Sequence, residues 1–221
     1  YRHDIATGVR TTVFADKGVW GVADHRGLGD ALRLLLVKAK GAAAREYFEY
    51  LPATGALTPL LGAGEAVDYA AAYAAQPGEL IVRTNRFDDF RRLYRWKIGA
   101  DTARASFREI LAPSGADVAG FSIDDARRRI YARVNDGGYA RLVVLDAATF
   151  APLALPLPQH ADQVVAGATT PDGRFVTIGI ESGTEPRVSY VWDWERQALV
   201  QWVVPSAPEV DTAAFVRARP M

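Results

Sequence analysis

Three histidines, no cysteine, one near-match to a nucleophile motif and a few acidic pairs are what this 221-residue sequence offers to covalent or metal chemistry. An acyl-transfer serine sits on a strained strand-to-helix turn, Gly-x-Ser-x-Gly, which exposes its hydroxyl beside oxyanion donors. Gly120-Phe121-Ser122-Ile123-Asp124 comes nearest, but Asp replaces the last Gly and the surroundings read as a strand running into a hairpin. Ser122 is read as an ordinary strand residue, and no catalytic residue is assigned. His3, His25 and His160 never fall at the four-residue spacing that puts two imidazoles on one helix face around a metal. They read as polar loop or strand-end residues, and no metal or cofactor is expected. Gly27-Leu28-Gly29 and Gly62-Ala63-Gly64 hold two glycines of a phosphate loop without the rest of the pattern, and read as turns between structural units. Asp88-Asp89, Asp124-Asp125 and Glu181 with Glu185 could bind a cation or a peptide amine. Carboxylates in hairpin turns are ordinarily solvated, and that reading is preferred.

The segment richest in recognition chemistry is Asn85-Arg86-Phe87-Asp88-Asp89-Phe90-Arg91-Arg92, which mixes two Phe with three Arg in an expected loop. Guanidinium stacking and bidentate carboxylate pairing would let Arg86, Phe87, Phe90 and Arg91 hold a peptide or a partner domain. The same residues would serve as a connection whose Phe rings fill the space between sheets while the Arg groups face water. Tyr47, Tyr94, Trp96, Tyr190, Trp192 and Trp194 read as packing between sheets rather than as a ligand cage.

Composition removes several classes of partner. Lys plus Arg, 26, balance Asp plus Glu, 26, so no net field draws the chain to nucleic acid or to an anionic membrane. Apolar stretches such as 34–37 and 153–157 fall far short of the roughly 20 residues of a membrane span. With 49% hydrophobic and 24% charged residues the chain can bury a sizeable core. The missing cysteines exclude disulfides and thiolate sites without separating cytoplasm from periplasm.

What positions these residues is a repeat. Ala6-Thr7-Gly8 recurs 47 residues on as Ala53-Thr54-Gly55; Leu142-Val143-Val144-Leu145-Asp146 aligns at the same shift with Ser189-Tyr190-Val191-Trp192-Asp193, and Asp125 with Asp172. Arg92-Leu93-Tyr94-Arg95-Trp96 precedes Arg141-Leu142-Val143-Val144-Leu145 by 49, so the middle keeps the rhythm with small insertions. Each unit reads as four short strands divided by turns. In one unit they fall at 118–123, 129–134, 141–145 and 152–155, and in the next at 164–169, 175–180, 188–192 and 199–203. The breaks, among them Asn135-Asp136-Gly137-Gly138 and Pro171-Asp172-Gly173, carry the Asn, Asp and Gly that tight turns require. Helix is the rival at 66–75 and 101–111 on propensity alone. Alternation elsewhere, as in Phe175 to Ile180, favours pleated strands. Four antiparallel strands every 47 residues or so predict an all-β chain: a partial β-propeller of about four to five four-stranded blades, the first incomplete.

Pro171-Asp172-Gly173-Arg174-Phe175-Val176, Glu181-Ser182-Gly183-Thr184-Glu185-Pro186 and Tyr190-Val191-Trp192-Asp193 resemble late blades of prolyl oligopeptidase-family propellers. So does the ending, from Pro205-Ser206-Ala207-Pro208-Glu209-Val210-Asp211 into Phe215-Val216-Arg217-Ala218-Arg219-Pro220-Met221. The resemblance spans 120–221 by motif and the earlier half by period alone. It implies blades over 1–204, and over 205–221 a linker leading toward a catalytic α/β-hydrolase domain outside this sequence. In such proteins the ring restricts which peptides reach the nucleophile, so the implied partners are that domain and a peptide substrate. It also implies further blades upstream of Tyr1, which stands inside an expected strand. Read without the resemblance, the chain is a propeller module binding a protein or peptide, or a five-blade ring in which 1–14 supply outer strands and 213–217 the inner one. An unclosed ring leaves sheet edges and apolar faces bare, and self-association is expected.

Overall fold

The structure is a computed structural model, and it describes residues 1–158, 161–203, 211 and 215–216. A two-stranded ribbon, β1 (Arg2–His3) with β2 (Arg10–Thr11), precedes four antiparallel sheets of four strands. The first sheet is β3 (Val19–Arg26), β4 (Arg33–Ala39), β5 (Arg45–Leu51) and β6 (Ala56–Leu61). The second is β7 (Tyr69–Tyr73), β8 (Glu79–Thr84), β9 (Arg92–Lys97) and β10 (Phe107–Leu111). The third is β11 (Asp117–Ile123), β12 (Arg129–Asp136), β13 (Tyr139–Asp146) and the short β14 (Pro152–Leu153). The fourth is β15 (Gln163–Thr169), β16 (Phe175–Glu181), β17 (Val188–Asp193) and β18 (Ala198–Val203). One parallel bridge, Ala140 to Gln163, joins the third and fourth. This is the partial propeller the repeat predicts. The stretches where helix competed hold β7 and β10, with only a 3-10 turn at Arg104–Ser106.

Hairpin order follows from turn chemistry. In the outer hairpins a left-handed residue recurs at Gly8 (φ 69°), Gly55 (φ 72°), Phe150 (φ 62°) and Gln197 (φ 50°). The carboxylates of Asp4, Asp146 and Asp193 accept the N–H groups two and three residues on. The ribbon of β1 and β2 therefore has the turn of a blade's outer hairpin. Gly27-Leu28-Gly29 differs from the expectation: it lies inside the first blade, between β3 and β4, whereas Gly62-Ala63-Gly64 does separate two blades.

The core lies between blades, because each twisted sheet has two apolar faces. Leu35, Tyr47, Leu61, Tyr73, Tyr94, Trp96 and Phe107 fill the first gap; Ile81, Leu93, Ile130 and Leu145 fill the second; Tyr131, Val176, Ile178 and Trp192 fill the third. All six aromatics expected to pack between sheets do so. The first blade's other face, Trp20, Leu34 and Leu36, borders a cleft of about 650 Å³ partly roofed by Val13 and Phe14. Phe14 meets Trp20 and Tyr50 edge to face, and the Tyr50 hydroxyl donates to the Val13 carbonyl.

Candidate functional site

Strand direction gives the blades two ends. At the front, first and third strands start and second and fourth strands end; at the back, the first and last of each blade's three hairpin turns close. The 85–91 loop between β8 and β9 stands at the front, and β18 ends on that same side.

The front of the second and third blades carries a charge network. Arg83, with its side chain 9% exposed, donates Nη2 to Asp68 Oδ2 at 2.8 Å and Nη1 to the Ala119 carbonyl, while its buried Nε has no acceptor among the described residues. Burial pulls its pKa down, against the opposing pull of Asp68. Asp68 also takes Arg45 at 3.2 Å and Arg91 at 3.6 Å. Arg91 pairs with Asp117 at 3.0 Å, and that hydrogen bond holds the Asp117 carboxyl below the usual aspartate value. Arg86 sits 2.7 Å from Glu65 and donates to the Tyr69 hydroxyl, whose pKa burial pushes up to about 12. Four cations thus face three carboxylates. Side-chain exposures of 42% for Arg45, 26% for Arg86 and 36% for Arg91 leave three guanidinium edges open to a carboxylate or a partner surface.

The expected contact residues divide. Arg86 and Arg91 join this network. Phe87 turns inward against Tyr94 and Phe107, and Phe90, 36% exposed, lies under the Arg92 guanidinium at 5.2 Å. The loop therefore both packs and presents charge. Asp68, Arg83 and Asp117 escaped the sequence reading, although Asp68, Asp117 and Asp162 recur where the first strand of blades two to four begins, a signal available in the repeat.

The remaining candidates scatter. Ser122 is exposed within β11, paired across to Tyr131, with no strand-to-helix turn. His3 and His25 are exposed strand residues, and His160 lies outside the described residues. No group of three metal-ligating side chains occurs among the described residues, and no described helix is long and apolar enough to cross a membrane. Asp88 is exposed and pairs with Arg92. Asp124 departs from the solvated reading: it is 1% exposed, and Oδ1 accepts the N–H groups of Arg128 and Arg129 because the β11–β12 turn folds beneath the next blade.

Four-stranded blades packed face to face define a β-propeller. Among solved structures the chain is similar to a prolyl endopeptidase (20% identity, TM-score 0.62, 80% of this chain, 26% of that one). It is also similar to prolyl oligopeptidase B from Galerina marginata (12% identity, TM-score 0.66, 82% and 26%) and to TolB from Acinetobacter baumannii (16% identity, TM-score 0.61, 90% and 47%). The chain spans about a quarter of the two peptidases and about half of TolB. No family profile and no curated protein matches the sequence. At these identities the likeness establishes the fold, propeller blades of the kind found in prolyl endopeptidases.

Proposed function

We propose that this chain is the non-catalytic propeller of a serine oligopeptidase, restricting peptide access to a catalytic α/β-hydrolase domain. The observation that carries the reading is the likeness in fold to two prolyl peptidases over four-fifths of the chain. Residues 1–204 form the blades and 205–221 the linker. β18 ends at the front, on the face that bears Arg86, Phe90 and Arg91 over the Phe87 support, so the hydrolase domain and passing peptides meet that charged face. Chemistry belongs to the partner domain, whose Ser, Asp and His are not in these blades. The test is the gene-length product assayed on short chromogenic peptides with and without a serine-directed phosphonate. Phosphonate-sensitive cleavage supports the reading; a gene-length product with no Gly-x-Ser-x-Gly and no cleavage overturns it.

A second reading, a propeller module that binds a protein or peptide without a hydrolase, is favoured by the open guanidinium edges of Arg45, Arg86 and Arg91 at the front. It predicts binding by the front face in the absence of any cleavage.

A further inference from the structure

On the back, where blades three and four meet, an open groove of about 870 Å³ has a composition that packing does not require. Trp192, 2% exposed, lines it, and its buried Nε1–H has no acceptor among the described residues. The indoles of Trp20, Trp96 and Trp194 each donate to a protein oxygen. Trp194 meets Trp192 edge to face at 5.7 Å, and Leu155 and Pro156 continue the apolar lining.

Three consecutive arginines border the groove. Arg127 is committed to Asp24 Oδ1 at 2.6 Å and to the Tyr73 and His25 carbonyls. Arg129 is committed to the Gly173 carbonyl and lies over the Trp194 ring at 4.3 Å. Arg128 is exposed; its backbone N–H donates to Asp124 and its carbonyl accepts the Ala147 N–H, and its guanidinium has no acid or carbonyl partner among the described residues. The one carboxylate lining the groove, Asp146, is held ionised by the hydrogen bonds of its own turn, and with Arg127 paired to Asp24 and Arg129 to Asp124, Arg128 is the groove's arginine without an ion-pair partner among the described residues. A free guanidinium beside an apolar wall is the complement of a carboxylate beside an apolar side chain.

We propose that this groove binds a peptide carboxylate flanked by an apolar side chain. Arg128 pairs with the carboxylate, and Trp194, Leu155 and Pro156 receive the side chain. The site is on the opposite end of the blades from the front face and stands independently of the oligopeptidase reading. A free C-terminus and an acidic side chain share this chemistry.

The test is fluorescence anisotropy of the whole chain with three labelled probes: Ala-Ala-Leu-Leu as free acid, the same peptide as its C-terminal amide, and the amide of Ala-Ala-Leu-Glu-Leu. Binding of the first or the third, at least roughly tenfold tighter than the neutral amide, is expected and tells the two sources apart. Arg128→Gln should erase that preference and Arg128→Lys restore part of it, while Arg133→Gln, exposed on the same blade, should not matter. The proposal falls if the neutral amide binds equally well, if Arg128→Gln leaves the preference intact, or if none of the probes binds.

Discussion

At the residue scale, backbone conformation and charge geometry decide more than side-chain identity. Gln197 is exposed and left-handed where two other outer hairpins hold Gly, so Gln197→Gly should relieve strain and stabilise by about 0.5–1 kcal/mol. The check is a higher urea midpoint at unchanged slope. Gly173 presents the opposite case: φ is 70°, and an added Cβ would stand 2.9 Å from Asp124 Oδ2. Gly173→Ala should destabilise by about 2 kcal/mol, read in the same titration. Asp193 sets an acid limit. The Arg174 guanidinium, bonded to both of its oxygens, holds its carboxyl at about 2 against an ordinary 3.8. A depressed folded-state pKa contributes stability that is present above 3.8 and lost as pH falls through about 2. The wild-type chain should therefore lose stability across that window more steeply than Asp193→Asn, which has no carboxyl to protonate. Parallel pH profiles of the thermal midpoint would remove Asp193 from the account.

At the scale of elements, the blades are pinned at their back ends by arginines that reach across gaps. Arg127, itself left-handed at φ 56°, bridges the third blade to Asp24 and His25 of the first and to Tyr73 of the second, while Asp24 Oδ2 accepts the Tyr73 N–H. With side chains 16% and 13% exposed, this pair is nearly dry, and Arg127→Ala should cost roughly 3 kcal/mol because Asp24 is then buried without its cation. Combining it with Asp24→Ala should recover part of that loss, as a double-mutant cycle would measure. Such pins were illegible in the sequence, since Asp24 and Arg127 lie 103 residues apart and no local pattern couples them. The strands were legible because each turn advertises itself: Asp146 and Asp193 bind their own backbone, and Pro171-Asp172-Gly173 closes β15 onto β16. Fraying was not, so the expected 152–155 strand shortens to Pro152–Leu153. At the front, the 85–91 loop was recognisable by composition. Its partners Asp68 and Asp117 became visible only once the repeat placed them at the starts of first strands.

For the whole molecule, bare surfaces at both outer blades dominate. Val19 and Val22 on β3 are 72% and 62% exposed, and Trp202 on β18 is 74% exposed. Propeller blades bury both faces against neighbours, so this chain in isolation should self-associate in a concentration-dependent way seen by sedimentation. Val22→Lys with Trp202→Lys should reduce that association. A monomer that melts cooperatively at every concentration would show that the four blades are satisfied as they stand.

In the proposed function these blades select substrates for a hydrolase by restricting access. The most direct measurement compares cleavage of short chromogenic peptides with cleavage of unfolded full-length casein by the gene-length protein, each with and without a serine-directed phosphonate. Fast, phosphonate-sensitive cleavage of the peptides with casein spared is the expected result. Equal cleavage of both, or of neither, would contradict it.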